Sequence, residues 1–314
     1  MSKVKNICVT GGCGFIGSNI AEKICKKYNV RVVDNLSTGR LSNLDGFRDE
    51  IDLVVGDLRK IGVCNDVTEG IDVVLHLAAL PSVPRSIMNP RGSNENNVSS
   101  TVNLLKAAVD NGVKRVVFSA SSSAYGNTRV LPKDESMCPS PLSPYAVSKL
   151  AGEYYMKAFA NCYDIDTVSL RYFNVYGKRQ NPGSQYSAVI PKFIKASLND
   201  DEADVYGDGK QSRSFTYIDD VVGANLAAAK HRGDLNGDVF NAALADRNSL
   251  LDLVDAVSRA SGKKLRYRMV DERVGDVKHS QADTNKAERV LGFKAKVGFD
   301  EGIKKTFKHY KGVL

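Results

Sequence analysis

The segment Lys5-Asn6-Ile7-Cys8-Val9-Thr10 followed by Gly11-Gly12-Cys13-Gly14-Phe15-Ile16-Gly17 most restricts what this chain can become. A short apolar, β-branched run predicts a buried strand, and the amphipathic pattern through about Lys27 predicts a helix. Between them three glycines recur at every third position. They let the backbone turn tightly, approach a ligand closely and pack the helix on the sheet, while the helix N-terminus attracts an anion. A strand, glycine turn and helix in that order point to a pyrophosphate-binding unit. The next apolar run, Val30–Val33, ends at Asp34, twenty-three residues after Gly11. A carboxylate there accepts hydrogen bonds from ribose hydroxyls and repels a 2′-phosphate, which favours NAD over NADP.

Further strand-like runs follow at Asp52–Val55, Asp72–His76, Arg115–Ser119 and Thr167–Arg171, alternating with helical spacing over Ser99–Asn111 and Pro144–Tyr163. In the second helix the apolar positions Val147, Leu150, Tyr154 and Ala158 mark the expected stripe. Near-continuous Val/Ile/Leu runs suit a parallel sheet buried on both faces, and ligands bind outside the carboxyl ends of its strands. The polar residues collect at those ends: Asp34, Asp57, His76–Ala79, Ser119–Ser123 and Tyr172–Asn174. From about residue 173 the periodicity weakens, as expected of a second, smaller lobe.

Within Ser143-Pro144-Tyr145-Ala146-Val147-Ser148-Lys149, Tyr145 and Lys149 stand four residues apart and share a helix face. An ammonium beside a phenol favours the phenolate, so a group that titrates near ~10 can act as a base near neutrality.

Composition excludes more than it assigns. The charged fraction of 25% and hydrophobic fraction of 42% are those of an ordinary globular chain. No apolar run approaches the ~20 residues of a membrane span, and the chain leads straight into a strand, so a cytoplasmic protein is expected. The formal charge of +8 is scattered rather than clustered, which argues against nucleic acid and suits a site for pyrophosphates. Six cysteines without a C-x-x-C pair or a histidine group suggest neither a metal site nor a disulfide framework.

Taken together, Thr10-Gly11-Gly12-x-Gly14-Phe15-Ile16-Gly17, Asp34–Gly39, Gly56-Asp57-Leu58, His76-Leu77-Ala78-Ala79, Ser121–Gly126, Tyr145-x-x-x-Lys149 and Arg171–Asn174 resemble the extended short-chain dehydrogenase/reductases, and within them the UDP-sugar 4-epimerases. The resemblance spans essentially the whole chain. It implies an α/β fold with a Rossmann-type, doubly wound parallel sheet (residues 1–172 plus about 215–243). A smaller mixed α/β lobe that binds the UDP-sugar would comprise about 173–214 plus 244–314. It implies NAD as cofactor, a UDP-hexose as substrate and a homodimer built from the helices at Ser99–Asn111 and Pro144–Tyr163, with Tyr155 and Phe159 at the interface.

By the same resemblance Gly11, Gly14, Phe15, Ile16 and Gly17 cradle the NAD pyrophosphate. Asp34 and Asn35 hold the adenosine ribose, and Asp57 and Leu58 flank the adenine. Ala78, Ala79 and Leu80 line the cofactor, with Asn97 and Tyr172 on the nicotinamide side. Ser121, Tyr145 and Lys149 would be catalytic. On the substrate side Ser122 joins them, Asn174, Arg213 and Arg273 take the phosphates, and Tyr206 stacks near the uracil. Asp276 takes the uridine ribose, while Gln180, Ala188, Val189 and Ser280 border the sugar. Ser280 stands where epimerases restricted to UDP-glucose and UDP-galactose carry tyrosine, so a 2-acetamido group is expected to fit. Pro81 replaces the Lys or Gly of some epimerases. Dehydratases and decarboxylases of this fold are disfavoured because Ser121-Ser122-Ser123 contains no carboxylate. A non-catalytic NAD-sensing regulator is disfavoured because the Tyr/Lys pair is present.

Overall fold

The computed structural model describes residues 4–181, 189–271 and 278–313. Strand β1 (Asn6–Thr10) feeds helix α1 (Phe15–Ile24), and β2 (Asn29–Asp34) and β3 (Asp52–Val55) complete one half of the sheet. After α2 (Ile61–Thr68) the chain crosses to β4 (Val73–His76). It continues through α3 (Val83–Met88), α4 (Pro90–Asn94), a π-turn at Glu95–Ser99 and α5 (Ser100–Asp110) into β5 (Arg115–Ser121). Helix α6 (Pro144–Cys162) then leads to β6 (Asp166–Tyr172).

Later segments are short: β7 (Val175–Tyr176), α7 (Val189–Asn199), β8 (Ala203–Tyr206), β9 (Ser212–Arg213), β10 (Thr216–Tyr217), α8 (Ile218–Lys230), β11 (Asp238–Ala242) and β12 (Asn248–Ser249). The chain closes with α9 (Leu250–Ser261), β13 (Tyr267–Val270), β14 (His279–Ser280), α10 (Asn285–Leu291) and α11 (Phe299–Lys311).

Seven strands form one sheet in the order β11-β6-β5-β4-β1-β2-β3, each neighbouring pair parallel. The order reverses between β1 and β4, and at such a switch point the crevice outside the strand ends opens for a ligand. Separate apolar clusters fill the two faces, one around Val9, Ile20, Val32 and Leu170, the other around Cys8, Val74, Leu105 and Val116. This is the doubly wound α/β architecture expected. Smaller sheets, β12-β9-β14, β13-β8 and β10-β7, stand apart from it.

Helix α6 corrects the sequence reading. Of the expected core stripe only Leu150 is buried, whereas Val147, Tyr154 and Ala158 are exposed. The face turned to β5 and β6 instead carries Ser148, Lys149, Gly152, Glu153 and Met156. Its charges are matched: Arg171 on β6 makes two parallel hydrogen bonds to Glu153, at 2.9 and 2.7 Å, and stacks over the Tyr125 ring at 4.5 Å. Bidentate pairing is what makes a buried guanidinium and carboxylate tolerable. Phe159, expected at an outer interface, is buried in the core, and Tyr155 is exposed.

Candidate active site

The carboxyl ends of the strands open into a cleft of about 1530 Å³. Its floor is the glycine turn. Gly11 has φ +67°, and a Cβ there would lie 2.8 Å from the Ala78 nitrogen. A Cβ on Gly17 would lie 2.3 Å from the Gly11 carbonyl oxygen. Neither position admits a side chain. Helix α1 starts at Phe15 with no side-chain cap on its first N–H groups, which therefore remain available to an anion.

At the next strand end Asp34 accepts hydrogen bonds from the Leu36 N–H at 2.8 Å and the Cys13 N–H at 3.0 Å. Burial raises its pKa, and those two bonds oppose the rise. Asp57 is clamped by Arg59, with the shortest contact 2.6 Å, and this holds its carboxyl down at about 2. Asn35, Asp57 and Leu58 line the same end of the cleft.

The opposite wall is set by a chain of polar side chains behind it. Thr101 donates to the Asn97 carbonyl at 2.7 Å, so its oxygen receives the proton of His76 Nε2 at 2.9 Å. That leaves His76 Nδ1 to accept from the Thr10 hydroxyl at 2.8 Å. The Thr10 oxygen in turn accepts the N–H groups of Leu77 and Ala78, each at 3.2 Å. Burial pushes the imidazole down to about 3, so this neutral tautomer persists across the working pH range. The Asn97 side chain accepts the Leu80 N–H at 2.7 Å and donates to Ser148 Oγ at 3.0 Å.

Asn97 is not among the described residues that line the cleft, so its part is to hold the Leu80 backbone from behind. Tyr172 does line the cleft, with its hydroxyl locked against Asn225.

At the centre stand Ser121, Tyr145 and Lys149. Lys149, 3% exposed, donates to the Ser119 carbonyl at 2.8 Å and lies 4.9 Å from the Phe118 ring centre. Burial holds its pKa down at about 8, with Glu153 opposing. Tyr145 differs from expectation. Burial raises its pKa, and the hydrogen bond that opposes this comes from Ser121 rather than from Lys149. Ser121 accepts both the N–H of Ser123, at 3.2 Å, and its hydroxyl, at 2.8 Å. A hydroxyl has two acceptor lone pairs and one proton, so with both lone pairs taken by Ser123 the Ser121 proton is the one that serves Tyr145.

Of the substrate-side residues, Ser122, Asn174, Gln180, Arg213 and Ser280 also line the cleft. Asn174, at φ +38°, donates to the Ser214 carbonyl at 3.0 Å. Gln180 Oε1 is buried with no hydrogen-bond partner among the described residues. Val189, which begins α7, and Tyr206, which ends β8, are not among the described residues that line the cleft. Ala188, Arg273 and Asp276 lie outside the described residues.

The sequence reading missed Arg85, Ser123, Lys133, Arg179, His309 and Tyr310, all of which line the cleft. Ser123 was legible from its place in the serine run. Nothing local marks His309, which approaches Arg179 from the far end of the chain, where the Arg179 N–H donates to Nε2 at 3.3 Å.

Comparison with known proteins agrees with this geometry. Residues 7–243 match the model of the NAD dependent epimerase/dehydratase family. The chain belongs to that family. It is 35% identical to a putative UDP-glucose 4-epimerase of Methanocaldococcus jannaschii, over 96% of each chain. It is 30% identical to a UDP-N-acetyl-alpha-D-glucosaminuronate decarboxylase of Bacillus cytotoxicus, over 98% of each. Among solved structures it resembles the UDP-N-acetylglucosamine 4-epimerase of Methanobrevibacter ruminantium in complex with UDP-N-acetylmuramic acid, at TM-score 0.95 and 38% identity, covering 99% of this chain and 100% of that one. The chain is thus a UDP-sugar 4-epimerase-like member of the epimerase/dehydratase family, and NAD is its cofactor. No helix among the described residues is long and apolar enough to cross a membrane.

Proposed function

We propose that this protein inverts C4 of a UDP-hexose, including N-acetylated ones, through a transient 4-keto sugar. The observation that carries the reading is the triad of Ser121, Tyr145 and Lys149 in one cleft with a serine-only turn beside it. The O4 proton passes to Tyr145 as the hydrogen on C4 leaves as hydride. NAD, which the Gly11–Gly17 turn and Asp34 would hold, would supply the reversible hydride acceptor that this inversion needs. Ser121, its lone pairs taken by Ser123, directs its proton at Tyr145 and so favours the phenolate that takes the O4 proton. Lys149 lends positive charge one helical turn away, supported by Ser119 and Glu153. The likeness to the putative UDP-glucose 4-epimerase of M. jannaschii supports the reaction. The M. ruminantium structure supports a pocket with room for an N-acetyl group and for a sugar that carries a carboxylate. A water-eliminating reaction would call for an acidic pair next to the hydroxyls, and Ser122 and Ser123 supply none.

Because the hydride returns in each cycle, purified protein should carry NAD and convert UDP-galactose and UDP-N-acetylgalactosamine without added cofactor. Product separation should show both epimers, with no net change at the reduced-nicotinamide absorbance. NADH accumulating in step with product would identify a dehydrogenase instead.

A homodimer is also proposed, now on the outward face of α6. Val147 and Tyr154 are 52% and 61% exposed there, and neighbouring α3 adds Ile87 and Met88 at 63% and 70%. Apolar exposure on this scale suits an isologous contact. Sedimentation at micromolar concentration should report a dimer, and Tyr154→Glu should shift it to monomer. A wild-type monomer would refute the assignment.

A further inference from the structure

Lys133 is 1% exposed, yet it lines the cleft. Its backbone is stitched to the segment that follows Ser280. Its N–H donates to the Gln281 carbonyl at 2.7 Å, and its carbonyl accepts from the Asp283 N–H at 2.9 Å. The ammonium donates to the Gly126 carbonyl at 3.1 Å. An ammonium has three donors; among the described residues this carbonyl is its one hydrogen-bond acceptor, and the Tyr125 ring lies beside it with its centre 5.9 Å away. No carboxylate among the described residues pairs with Lys133, and the charged group that acts on it is another cation, Arg213. A buried cation without a counter-ion is costly, and the cost is relieved when an anion arrives. Lys133 lies between the Ser121–Gly126 turn and Ser280, which border the sugar, whereas the diphosphate falls to Arg213.

We propose that Lys133 is a substrate-binding residue that receives a carboxylate carried by the sugar, so that the site takes a UDP-hexuronate or a similar acidic UDP-sugar. This rests on the UDP-sugar reading above. It does not require turnover, and the test is therefore one of binding.

The NAD-loaded protein would be titrated calorimetrically with UDP, UDP-glucose and UDP-glucuronate. Wild type is expected to bind UDP-glucuronate at least ~10-fold more tightly than UDP-glucose, the scale of a desolvated charge pair. In Lys133→Met that preference should collapse to near unity, and Lys133→Arg should recover much of it. Lys133→Gln keeps a donor for Gly126 and should behave as Lys133→Met does, which covers the case in which Met disturbs folding. Bound NAD and the unfolding temperature report whether each variant is intact. Equal wild-type affinity for the acidic and neutral sugars would overturn the proposal. So would a loss of UDP binding in Lys133→Gln as large as the loss for UDP-glucuronate, since the lysine would then serve the diphosphate. If UDP-glucuronate binds as expected but no UDP-sugar is epimerised, the reaction assignment fails and this one stands.

Discussion

In Tyr145→Phe, kcat should fall by at least ~10²-fold while the affinity for UDP-sugar stays within a few-fold, the usual scale for a positioned acid–base group. The substitution removes one oxygen from a half-buried ring at the start of α6 and leaves the packing of that helix unchanged. The ring's pKa is raised by burial, so the free protein holds the phenol protonated, and Ser121 and the bound cofactor's charge must both favour its ionisation. Initial rates over a range of substrate concentrations separate the two effects. Near-normal kcat would mean that the proton leaves by another route. A loss confined to KM would make Tyr145 a binding group.

Ser280→Tyr should abolish turnover of the N-acetylated sugar and spare, or improve, that of UDP-glucose. Ser280 is 8% exposed on β14, whose backbone is paired with β9 and also accepts the Ser214 N–H at 2.8 Å. The added ring therefore cannot move aside by shifting the strand, and it fills the cleft. Overfilling rejects the bulkier ligand and leaves the smaller one bound. Parallel assays with UDP-N-acetylglucosamine and UDP-glucose decide it. A wild type active only on the non-acetylated pair, or a variant that still accepts the acetamido group, would sink the idea.

Six of the seven strands of the main sheet were legible to within two residues, because each carries a short run of β-branched or other apolar residues. The seventh, Asp238–Ala242, was not read as a strand. Its first two residues are only half-buried, and Asn241 interrupts the apolar run while serving Tyr125 at 2.7 Å. The orientation of α6 was misread for a related reason: its inner face is where the chemistry and the Glu153–Arg171 pair reside, so hydrophobicity pointed the wrong way. Ser121, Tyr145, Lys149, Asp34 and the glycine turn were legible because each sits at a strand end or helix start with a fixed local pattern. Tyr206 and Val189 were placed by resemblance alone, in a region of short sheets where pattern says little. Lys133 and His309 reach the cleft only through contacts between distant segments, which no local spacing encodes.

The line from Asn97 through Thr101, His76 and Thr10 to Leu77 and Ala78 bears on how this cleft can change over generations. Each of the three bridging side chains has its donors and acceptors committed on both sides. A single replacement at any of them strands a buried polar atom on its neighbour, and two compensating replacements must then occur together. Of the residues that face the sugar, Tyr145 is joined to this line through Ser148, which accepts from Asn97 and donates to the Tyr145 carbonyl, whereas Gln180 and Ser280 sit on other segments. Substrate preference is therefore free to drift, while the seat of the cofactor is held by a lock that no single step can open without loss.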